Sequence, residues 1–597
     1  MDKFEDSRIY EKSLDIEKRK RYGIYYTPKE VVEYIVDDTI KDIDVIENPC
    51  PKILDSSCGC GNFLLEVFEK LKIKFIKNSD KLLEKYNNDI FKEENIPKYI
   101  LENCIYATDI DKKAVEIAKK LLLEKANIER NENVKLNIYI EDGLKIKWNT
   151  KFDVIIGNPP YVGHKHLTKE YKEFILEEYK DVYKDKSDLY FCFYKNSLDI
   201  LKDNGVIHLI TPRYFLESMS AFLLREYIQK NAEIEELIDF LGDEVFTYIG
   251  ISACIIKMRK KGYGIEKTNI YRKKSDKYVC MKKRKSEISI KELKEKDEIF
   301  ERLIIDTEKL QSNWIIANEK DMDLYLKIEE KAKYRLSDIA ESFQGIITGC
   351  DKAFILKKDD DRIKNIDSKL LKQWVKNKDI DKYVIKNINY KLIYSNDIDN
   401  DEEYDYALET CIKPYKKKLE NRRECLKGIR KWYELQWGRE KKLFERKKVM
   451  YPYKSRDNKF ALDYDNLYSS ADVYSFYLKE ECEKIFSYEY IVALLNSSIY
   501  DRYYKIGAKK MSRGIYDYYP NKVMDIKILK GDNYKKIENY SKKIMEKKDD
   551  ILDNINNSIQ KSTLEKEKYL LENKKKSDEI KELIKDIDLL IEEDIFN

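Results

Sequence analysis

Short apolar runs alternate with helical segments along residues 52–260, and this alternation restricts the fold more than any other feature of the chain. The strand-like runs are residues 52–55, 104–109, 136–140, 152–156, 206–210, 235–240 and 251–258, and the first helical segments are 62–71 and 112–125. Strands that alternate with helices in this way form doubly wound, mostly parallel sheets. We therefore predict a Rossmann-like α/β fold that binds its ligands at the carboxyl ends of the strands.

The first strand is followed by the sequence Asp-Ser-Ser-Cys-Gly-Cys-Gly-Asn-Phe, residues 55–63, directly before a helix. Glycines in such a turn let the backbone approach a ligand closely. Asp109 and Asp142 end the next two strands, so three carboxylates are expected at successive strand ends. Each aspartate alone could be a helix cap or a loop residue. Together with the glycine loop they indicate a site for a ribose, an adenine amine and an amino-acid moiety.

A second constellation, Asn158-Pro159-Pro160-Tyr161, follows the strand at 152–156. The two prolines hold the backbone extended and thereby fix the carbonyl of Pro159. The Asn158 side-chain oxygen and this carbonyl could accept both hydrogens of an exocyclic adenine amine, which makes the nitrogen a better nucleophile. Attack on a sulfonium methyl then needs positioning rather than a metal or a strong base. Tyr161 could stack on a base that has left its helix.

Positive charge is concentrated late in the chain. Residues 413–459 contain 18 Lys and Arg against 6 Asp and Glu, whereas the whole chain carries a net charge of +4. This pattern fits a polyanionic partner, although a solvated basic face would give the same composition. The eleven cysteines form no paired CxxC units and only three histidines are present, so neither a metal site nor a disulfide framework is indicated.

The region from 336 to 530 is rich in Tyr, Trp, Lys and Arg and is interpreted as a recognition domain. Cations in such a region can neutralise phosphates, arginine can read guanine, and aromatic faces can support bases. The alternative is a small aromatic core with its cations in water. The candidates for these contacts are Arg422, Arg423, Arg430, Trp432, Tyr433, Trp437, Arg439 and Lys454, with Lys509, Lys510 and Arg513 in a second basic loop.

These motifs occur in an order that resembles the gamma group of N6-adenine DNA methyltransferases, with cofactor motifs before the catalytic tetrapeptide and target recognition after it. Residues 23–28, Gly-Ile-Tyr-Tyr-Thr-Pro, match the N-terminal cofactor motif, and residues 55–63 match the glycine-rich motif. Ser56-Ser57 replaces the usual proline-alanine, and Cys60 stands between the glycines. The resemblance implies cofactor contacts by Tyr26, Thr27, Asp55, Gly59, Gly61, Phe63, Asp109, Asp142 and Asn158, catalysis by Asn158, Pro159 and Tyr161, and a base pocket formed by Tyr161 and Phe246.

The resemblance also implies S-adenosylmethionine as methyl donor, S-adenosylhomocysteine as product and double-stranded DNA as partner. No metal, membrane or obligatory protein partner is expected, and a monomer in the bacterial cytoplasm follows. Through residues 23–28, 343–354 and 432–439, the chain more closely resembles the solitary clostridial adenine methyltransferases linked to sporulation. This resemblance implies an orphan enzyme acting on one strand of an A-rich asymmetric site. The expected domains are an N-terminal helical segment 1–22, a methyltransferase domain 23–260, a connecting region 261–335, a target recognition domain 336–530 and C-terminal charged helices 531–597.

Three alternatives stay open. About twenty residues precede Gly23, so we do not expect a fused nuclease, although a separate subunit of a restriction-modification system could cut DNA. An enzyme with the same tetrapeptide could instead methylate RNA or a protein amide, because the chemistry of an amide nitrogen is similar to that of the adenine amine. A non-enzymatic DNA-binding module is the third alternative, and the intact tetrapeptide makes it the least favoured.

Overall fold

A computed structural model describes residues 9–10, 13–15, 23, 27–129, 133–184, 186–244, 252–274, 290–306, 314–386, 388–398, 405–511, 514–558 and 563–597. The chain forms two compact units. The first unit comprises Met1–Ile316 and Lys509–Gly514, and the second comprises Ala317–Ala508 and Ile515–Asn597. Each is described below by itself.

The described part of the first unit is built on a nine-stranded sheet with the strand order β3-β2-β1-β4-β5-β7-β6-β8-β9. Its strands are β1 Ile53–Asp55, β2 Ile105–Asp109, β3 Asn137–Ile140, β4 Phe152–Gly157, β5 Leu201–Pro212, β6 Ala232–Glu244, β7 Ser252–Lys260, β8 Lys267–Lys273 and β9 Phe300–Asp306. Strands β1 to β5 are parallel, and β7 runs antiparallel between β5 and β6. The predicted Rossmann-like α/β fold is thereby confirmed.

The order of the strands reverses between β1 and β4. Ile53 of β1 pairs with Ile105 of β2 on one side and with Val154 of β4 on the other. In a parallel sheet, such a reversal leaves a crevice outside the carboxyl ends of the two strands, because the connections leave in opposite directions. Asp55 ends β1 and Gly157 ends β4, so the two motifs found in the sequence begin at this crevice.

Helices of the first unit connect the strands and bury apolar stripes. They are α1 Lys29–Ile40, α2 Asn62–Lys77, α3 Ser79–Tyr86, α4 Ile96–Asn103, α5 Lys112–Lys125, α6 Lys169–Glu178, α7 Tyr190–Ile200, α8 Phe222–Asn231 and α9 Ile290–Lys294. In α2, Leu64, Phe68 and Leu71 recur at helical spacing and are fully buried. Burial of each such side chain stabilises the fold by roughly 1.5–3 kcal/mol. The Asp111 side chain caps α5 by accepting a hydrogen bond of 3.0 Å from the Lys113 amide.

Residues 261–335 contain more regular structure than the expected connecting region. Strands β8 and β9 lie within this range and extend the large sheet, with β8 parallel to β6 and antiparallel to β9. In β8, Thr268 and Ile270 are buried while Lys267 is exposed. The buried face of β8 carries the polar residues Thr268 and Arg272 beside Ile270, which explains why the sequence showed no clear apolar period here.

The second unit contains two four-stranded sheets, β11-β21-β17-β19 and β12-β16-β13-β20, within its described residues. Its strands are β10 Tyr334–Arg335, β11 Ala340–Gln344, β12 Ile355–Lys357, β13 Leu371–Val375, β14 Ile380–Asp381, β15 Val384–Ile385, β16 Tyr390–Ile393, β17 Lys448–Pro452, β18 Lys454–Ser455, β19 Ala461–Asp463, β20 Tyr468–Ser469, β21 Val473–Leu478, β22 Tyr516–Asp517 and β23 Lys527–Ile528. This mixed architecture agrees with the predicted α/β recognition domain.

The second unit ends in two long helices. Its helices are α10 Glu319–Lys331, α11 Leu336–Ile339, α12 Asp351–Phe354, α13 Lys416–Glu420, α14 Arg423–Leu426, α15 Lys441–Phe444, α16 Tyr488–Asn496, α17 Ser498–Gly507, α18 Pro520–Val523, α19 Tyr534–Ser558 and α20 Thr563–Phe596. Helix α19 packs against α20 and α16, and Ile537, Ile544, Ile587 and Ile591 are buried in this core. The predicted C-terminal helical segment is confirmed.

Among the described residues, no helix combines the length and the apolar composition that crossing a bilayer requires.

A buried ion pair in the second unit leads to a test of stability. Lys448 and Asp463 are both fully buried and bonded to each other, and Asp463 also accepts a hydrogen bond of 3.0 Å from the Leu467 amide. Asp463→Ala leaves the buried Lys448 ammonium without its counterion. We therefore expect urea unfolding to show that the free energy of unfolding falls by about 3–5 kcal/mol. In the control Asp361→Ala, which breaks an exposed pair with Lys364, the change should stay within about 0.5 kcal/mol. Equal effects of the two substitutions would contradict this interpretation.

Candidate active site

A cavity of about 580 Å³ lies at the carboxyl ends of the central strands. Its lining includes the loop after β1, residues that follow β2 and β3, and the first residues after β4. This volume is typical of a small-molecule site. Seven of the predicted cofactor residues line it: Thr27, Asp55, Gly59, Phe63, Asp109, Asp142 and Asn158. Gly61 is the neighbour of two lining residues, and Tyr26 lies outside the described residues.

The loop between β1 and α2 depends on its two glycines. Gly59 has a φ of +53° and Gly61 a φ of +86°, both in the left-handed region that favours glycine. A Cβ on Gly61 would lie 2.9 Å from the Cβ of Ala118 in α5, so a larger residue would separate the loop from that helix. The Gly59 amide donates a hydrogen bond of 2.8 Å to Asp109 Oδ2, which ties the loop to the end of β2.

Asp55 lies at the bottom of the cavity with only 1% of its surface exposed. Its Oδ1 accepts a hydrogen bond of 3.0 Å from the Ser57 amide. Burial, and to a lesser degree the negative charge of Asp109, raises the pKa of Asp55 to about 7. A Cβ on Gly157 would stand 2.6 Å from Asp55 Oδ1, so β4 can leave the sheet beside this carboxyl only with glycine at that position.

Asp109 and Asp142 are held by backbone amides of their own loops. Asp109 Oδ1 accepts a hydrogen bond of 2.8 Å from the Asp111 amide, and burial raises the pKa of Asp109. Asp142 Oδ1 accepts a hydrogen bond of 2.9 Å from the Leu144 amide. Both side chains therefore keep a fixed orientation while they line the cavity.

Asn158 connects the catalytic motif with the N-terminal motif. Its Nδ2 donates a hydrogen bond of 3.0 Å to Oγ1 of the buried Thr27, which fixes the direction of the amide group. Gly23, with a φ of +63°, lies so close to the tetrapeptide that a Cβ there would be 2.4 Å from the Tyr161 amide nitrogen. Gly23 and Thr27 thus support the turn that carries Asn158.

The other residues of the tetrapeptide are differently placed. Pro159 is buried, and Pro160 lines the cavity. Tyr161 is 7% exposed, packs edge-on against Tyr190 at 6.2 Å, and donates a hydrogen bond of 3.4 Å to the Ile210 carbonyl. Its ring belongs to the core here and does not line the cavity, so stacking on a base stays a prediction. Phe246, the second aromatic of the expected base pocket, lies outside the described residues.

Several lining residues were not foreseen. The Tyr10 hydroxyl donates a hydrogen bond of 2.7 Å to Asp111 Oδ2 at the edge of the cavity, and Tyr171 interacts with Asp142, which together with burial raises the pKa of Tyr171. Asn62 begins α2, and its buried Oδ1 has no hydrogen-bond partner among the described residues. Asn62 could have been suggested by its place beside Gly61, but no local pattern marks Tyr10 or Tyr171.

The predicted DNA-contact residues divide into buried and accessible groups. Arg422 is 9% exposed and its guanidinium donates to the carbonyls of Leu419, Thr348, Trp432 and Glu434 at 2.8–3.1 Å. Tyr433 is 1% exposed in a hydrophobic core. The expectation that these two contact DNA is corrected, because both are committed to the interior of the second unit.

The second basic loop also needs a correction. Lys510 lies in the first unit and is buried, and its Nζ and its backbone amide donate to Glu217 at 3.1 and 2.7 Å. This pairing makes it a structural cation rather than a phosphate contact. Lys509 is half-buried with its Nζ 5.3 Å from the ring centre of Tyr214, and Arg513 lies outside the described residues.

The remaining candidates are accessible in the second unit. Arg423 and Lys454 are exposed, and 36% of the Trp437 surface is exposed. Arg430 and Trp432 are half-buried. Arg439 is also half-buried, and it donates a hydrogen bond of 3.1 Å to Gln344 Oε1. DNA contact by these side chains stays a prediction.

Comparison with known protein families finds a similarity for part of each unit. Residues 103–246 match the Eco57I restriction-modification methylase family, and residues 372–528 match the TaqI-like C-terminal specificity domain. One part of the chain thus resembles the Eco57I methylases and a later part resembles the TaqI-like specificity domain. The first match lies in the unit with the cavity, and the second covers much of the unit with the accessible cations.

Individual relatives are likewise methyltransferases or restriction-modification enzymes. The type II restriction enzyme and methyltransferase RM.Eco57I of Escherichia coli is 27% identical over 280 residues, 40% of this chain and 28% of that protein. The type II methyltransferase M.BanIII of Aneurinibacillus aneurinilyticus is 24% identical over 499 residues, 78% of this chain and 82% of that protein. The type IIL restriction-modification enzyme MmeI, solved in complex with DNA, shares the fold with a TM-score of 0.61 at 16% identity, over 97% of this chain and 79% of that one. The chain thus resembles a methyltransferase of the restriction-modification type.

The buried carboxyl of Asp55 leads to a test without any ligand. Its pKa of about 7 in the folded chain exceeds the value near 3.9 of an unfolded aspartate. The folded chain therefore holds this proton more tightly, and its stability should decrease as the pH rises from about 4 to about 7. Asp55→Asn should weaken that decrease and make the protein more stable near pH 8. The measurement is the thermal unfolding temperature across this range.

The control for this test is Asp203→Asn, which changes a side chain that is 93% exposed in the same unit. It should leave the pH profile unchanged. An Asp55→Asn profile identical to that of the unchanged protein would show that Asp55 is ionised in the fold at neutral pH.

Proposed function

We propose that this chain is a site-specific DNA methyltransferase that transfers a methyl group from S-adenosylmethionine to the N6 amine of a flipped-out adenine. The observation that carries the proposal is the position of Asn158, which borders the carboxylate-lined cavity and leaves β4 at the point where the strand order reverses. The matches to methylase and specificity families support the same conclusion.

The cavity suits this cofactor by its chemistry. Asp55, Asp109 and Asp142 offer acceptors for a cationic amino-acid end, a ribose diol and an adenine amine, and Phe63 and Phe193 offer apolar walls. The buried oxygens Ser56 Oγ and Asn62 Oδ1, which have no hydrogen-bond partner among the described residues, could receive further donors. When bound, S-adenosylmethionine supplies an electrophilic methyl group on a sulfonium that leaves as a neutral thioether.

The chain's own residues then orient the acceptor amine. Thr27 accepts a hydrogen bond from the nitrogen end of the Asn158 amide, so the oxygen is the end of this amide that faces away from Thr27. This oxygen and the Pro159 carbonyl would accept the two amine hydrogens and direct the nitrogen lone pair toward the methyl group. Prepositioned acceptors of this kind lower the barrier because they need no reorganisation during the reaction.

The proposed substrate is duplex DNA. The specificity-domain match, the exposed cations Arg423 and Lys454, and the DNA-bound relative MmeI support this assignment. We further propose solitary action on one strand of an A-rich asymmetric site, by a monomer in the bacterial cytoplasm. A modification subunit that works with a separate nuclease is compatible with the same relatives, and RNA or a protein amide is the remaining alternative substrate.

Substitution of Asn158 tests the catalytic assignment. Asn158→Ala removes one acceptor for the amine and should lower the rate of methyl transfer to DNA by at least about 100-fold. DNA affinity should stay within about twofold, because the side chain borders the cofactor cavity rather than the cations of the second unit. Asn158→Asp, which keeps an acceptor oxygen, should retain more activity than Asn158→Ala. Undiminished turnover in the alanine variant would remove Asn158 from the mechanism.

The raised pKa of Asp55 predicts how cofactor affinity depends on pH. A cationic ligand prefers the ionised carboxylate, whose fraction grows as the pH approaches 7. Isothermal titration with S-adenosylmethionine should therefore show affinity rising about tenfold between about pH 5.5 and about pH 7. Asp55→Asn should bind more weakly near pH 7 and lose most of this dependence. A dependence that survives in the variant would assign it to another group.

A further inference from the structure

Two exposed aliphatic side chains lie at the end of a turn in the second unit. We define this tip loop as residues 426–429, Leu-Lys-Gly-Ile. Leu426 is 73% exposed and Ile429 is 56% exposed. A single exposed leucine is ordinary on a protein surface, but two large aliphatic groups on one short turn form a local apolar projection that water disfavours.

The turn itself is fixed by backbone hydrogen bonds. Gly428 has a φ of +69°, and its amide donates a hydrogen bond of 2.9 Å to the Cys425 carbonyl. The Ile429 amide donates 2.9 Å to the Glu424 carbonyl. These bonds close the chain directly after α14, so Leu426 and Ile429 are held on either side of one turn.

The base of the tip loop is also rigid. The Arg422 guanidinium bridges carbonyls before and after the turn, at Leu419, Trp432 and Glu434. The side chain of Glu424 accepts a hydrogen bond of 2.9 Å from Gln436 Nε2. Tyr433 is buried in the hydrophobic core of the same unit. The two aliphatic groups are therefore carried by a preformed support, which lowers the entropy cost of inserting them into a partner.

The surroundings of the tip loop are positive. Exposed cations flank it, namely Lys417, Lys418, Arg423, Lys427 and Lys431. Of the nearby acids, Glu424 is 9% exposed, and Glu420 lies 3.8 Å from Lys416. An apolar projection within a cluster of exposed cations fits a polyanion with apolar faces between its charges, which describes stacked base pairs between phosphates.

We propose that the tip loop is a wedge that inserts Leu426 and Ile429 at a base-pair step of the DNA substrate, while Arg423 and Lys427 contact the adjacent phosphates. This inference rests on the proposed function, since it requires duplex DNA as the substrate. Partial unstacking of a base-pair step is unfavourable, and insertion of aliphatic side chains into the opened step offsets that cost. Such a wedge would make a base easier to extrude because a distorted duplex has already lost part of its stacking.

The test uses the full chain and a duplex that contains the site it methylates. The double substitution of Leu426→Ser and Ile429→Ser should lower DNA affinity about tenfold or more, because two aliphatic side chains no longer leave water. The slope of log affinity against log salt should not change, since no phosphate contact is lost. Arg423→Ala or Lys427→Ala should instead reduce that slope by about one.

Two comparisons separate the wedge from a general surface effect. Leu326→Ser changes a leucine that is 56% exposed on α10 of the same unit and should leave binding unchanged. Leu426→Met keeps an apolar side chain of similar size and should retain affinity near that of the unchanged protein. Fluorescence of 2-aminopurine placed next to the site should report the distortion, with a smaller increase for the double variant.

Unchanged affinity and unchanged fluorescence in the double variant, alongside normal methylation by the original chain, would overturn the wedge and leave the proposed function standing. The wedge would likewise be overturned if the double substitution weakened binding of the chain to another protein and left its affinity for DNA unchanged. If the original chain methylates no duplex DNA, the proposed function itself fails, and the two failures are thereby distinguished.

Discussion

The close approach of β1 and β4 at their carboxyl ends is the constraint on which the site depends. Gly157 permits it, because any side chain there would meet the Asp55 carboxyl at 2.6 Å. The approach places a buried carboxyl and the turn that carries Asn158 at one cavity. It also confines Asp55 where water cannot stabilise its charge, so its pKa rises to about 7. A ligand cation would supply the charge partner that the interior lacks.

A second constraint is that the cavity is assembled from distant parts of the chain. Gly23 and Thr27 lie against the tetrapeptide, through a close backbone approach of Gly23 to Tyr161 and a hydrogen bond between Thr27 and Asn158. Methyl transfer to an amine depends mostly on the positions of the reacting groups, so contacts that hold Asn158 in place would favour such a reaction. The second unit has a different character: its accessible cations and its rigid tip loop at 426–429 suit recognition rather than catalysis.

The sequence predicted what depends on local pattern. Apolar strands and the polar residues at their ends are visible as short runs, and parallel topology brings those ends together, so Asp55, Asp109 and Asn158 could be placed at one site. Strand β8 was missed because its buried face carries the polar residues Thr268 and Arg272 as well as Ile270, so no apolar alternation is visible. Arg422 and Lys510 were assigned to DNA because burial is not a local property: their partners Thr348 and Glu217 are far away in the chain.

The most direct measurement is single-molecule sequencing of genomic DNA from cells that carry either the original gene or its Asn158→Ala variant at the same locus. The proposed chemistry predicts one sequence motif with N6-methyladenine on one strand in the original cells, and the same motif unmodified in the variant cells. Identical adenine modification in both would contradict an adenine methyltransferase built around Asn158. A mark that disappears from cytosine instead would contradict the assignment of the substrate base.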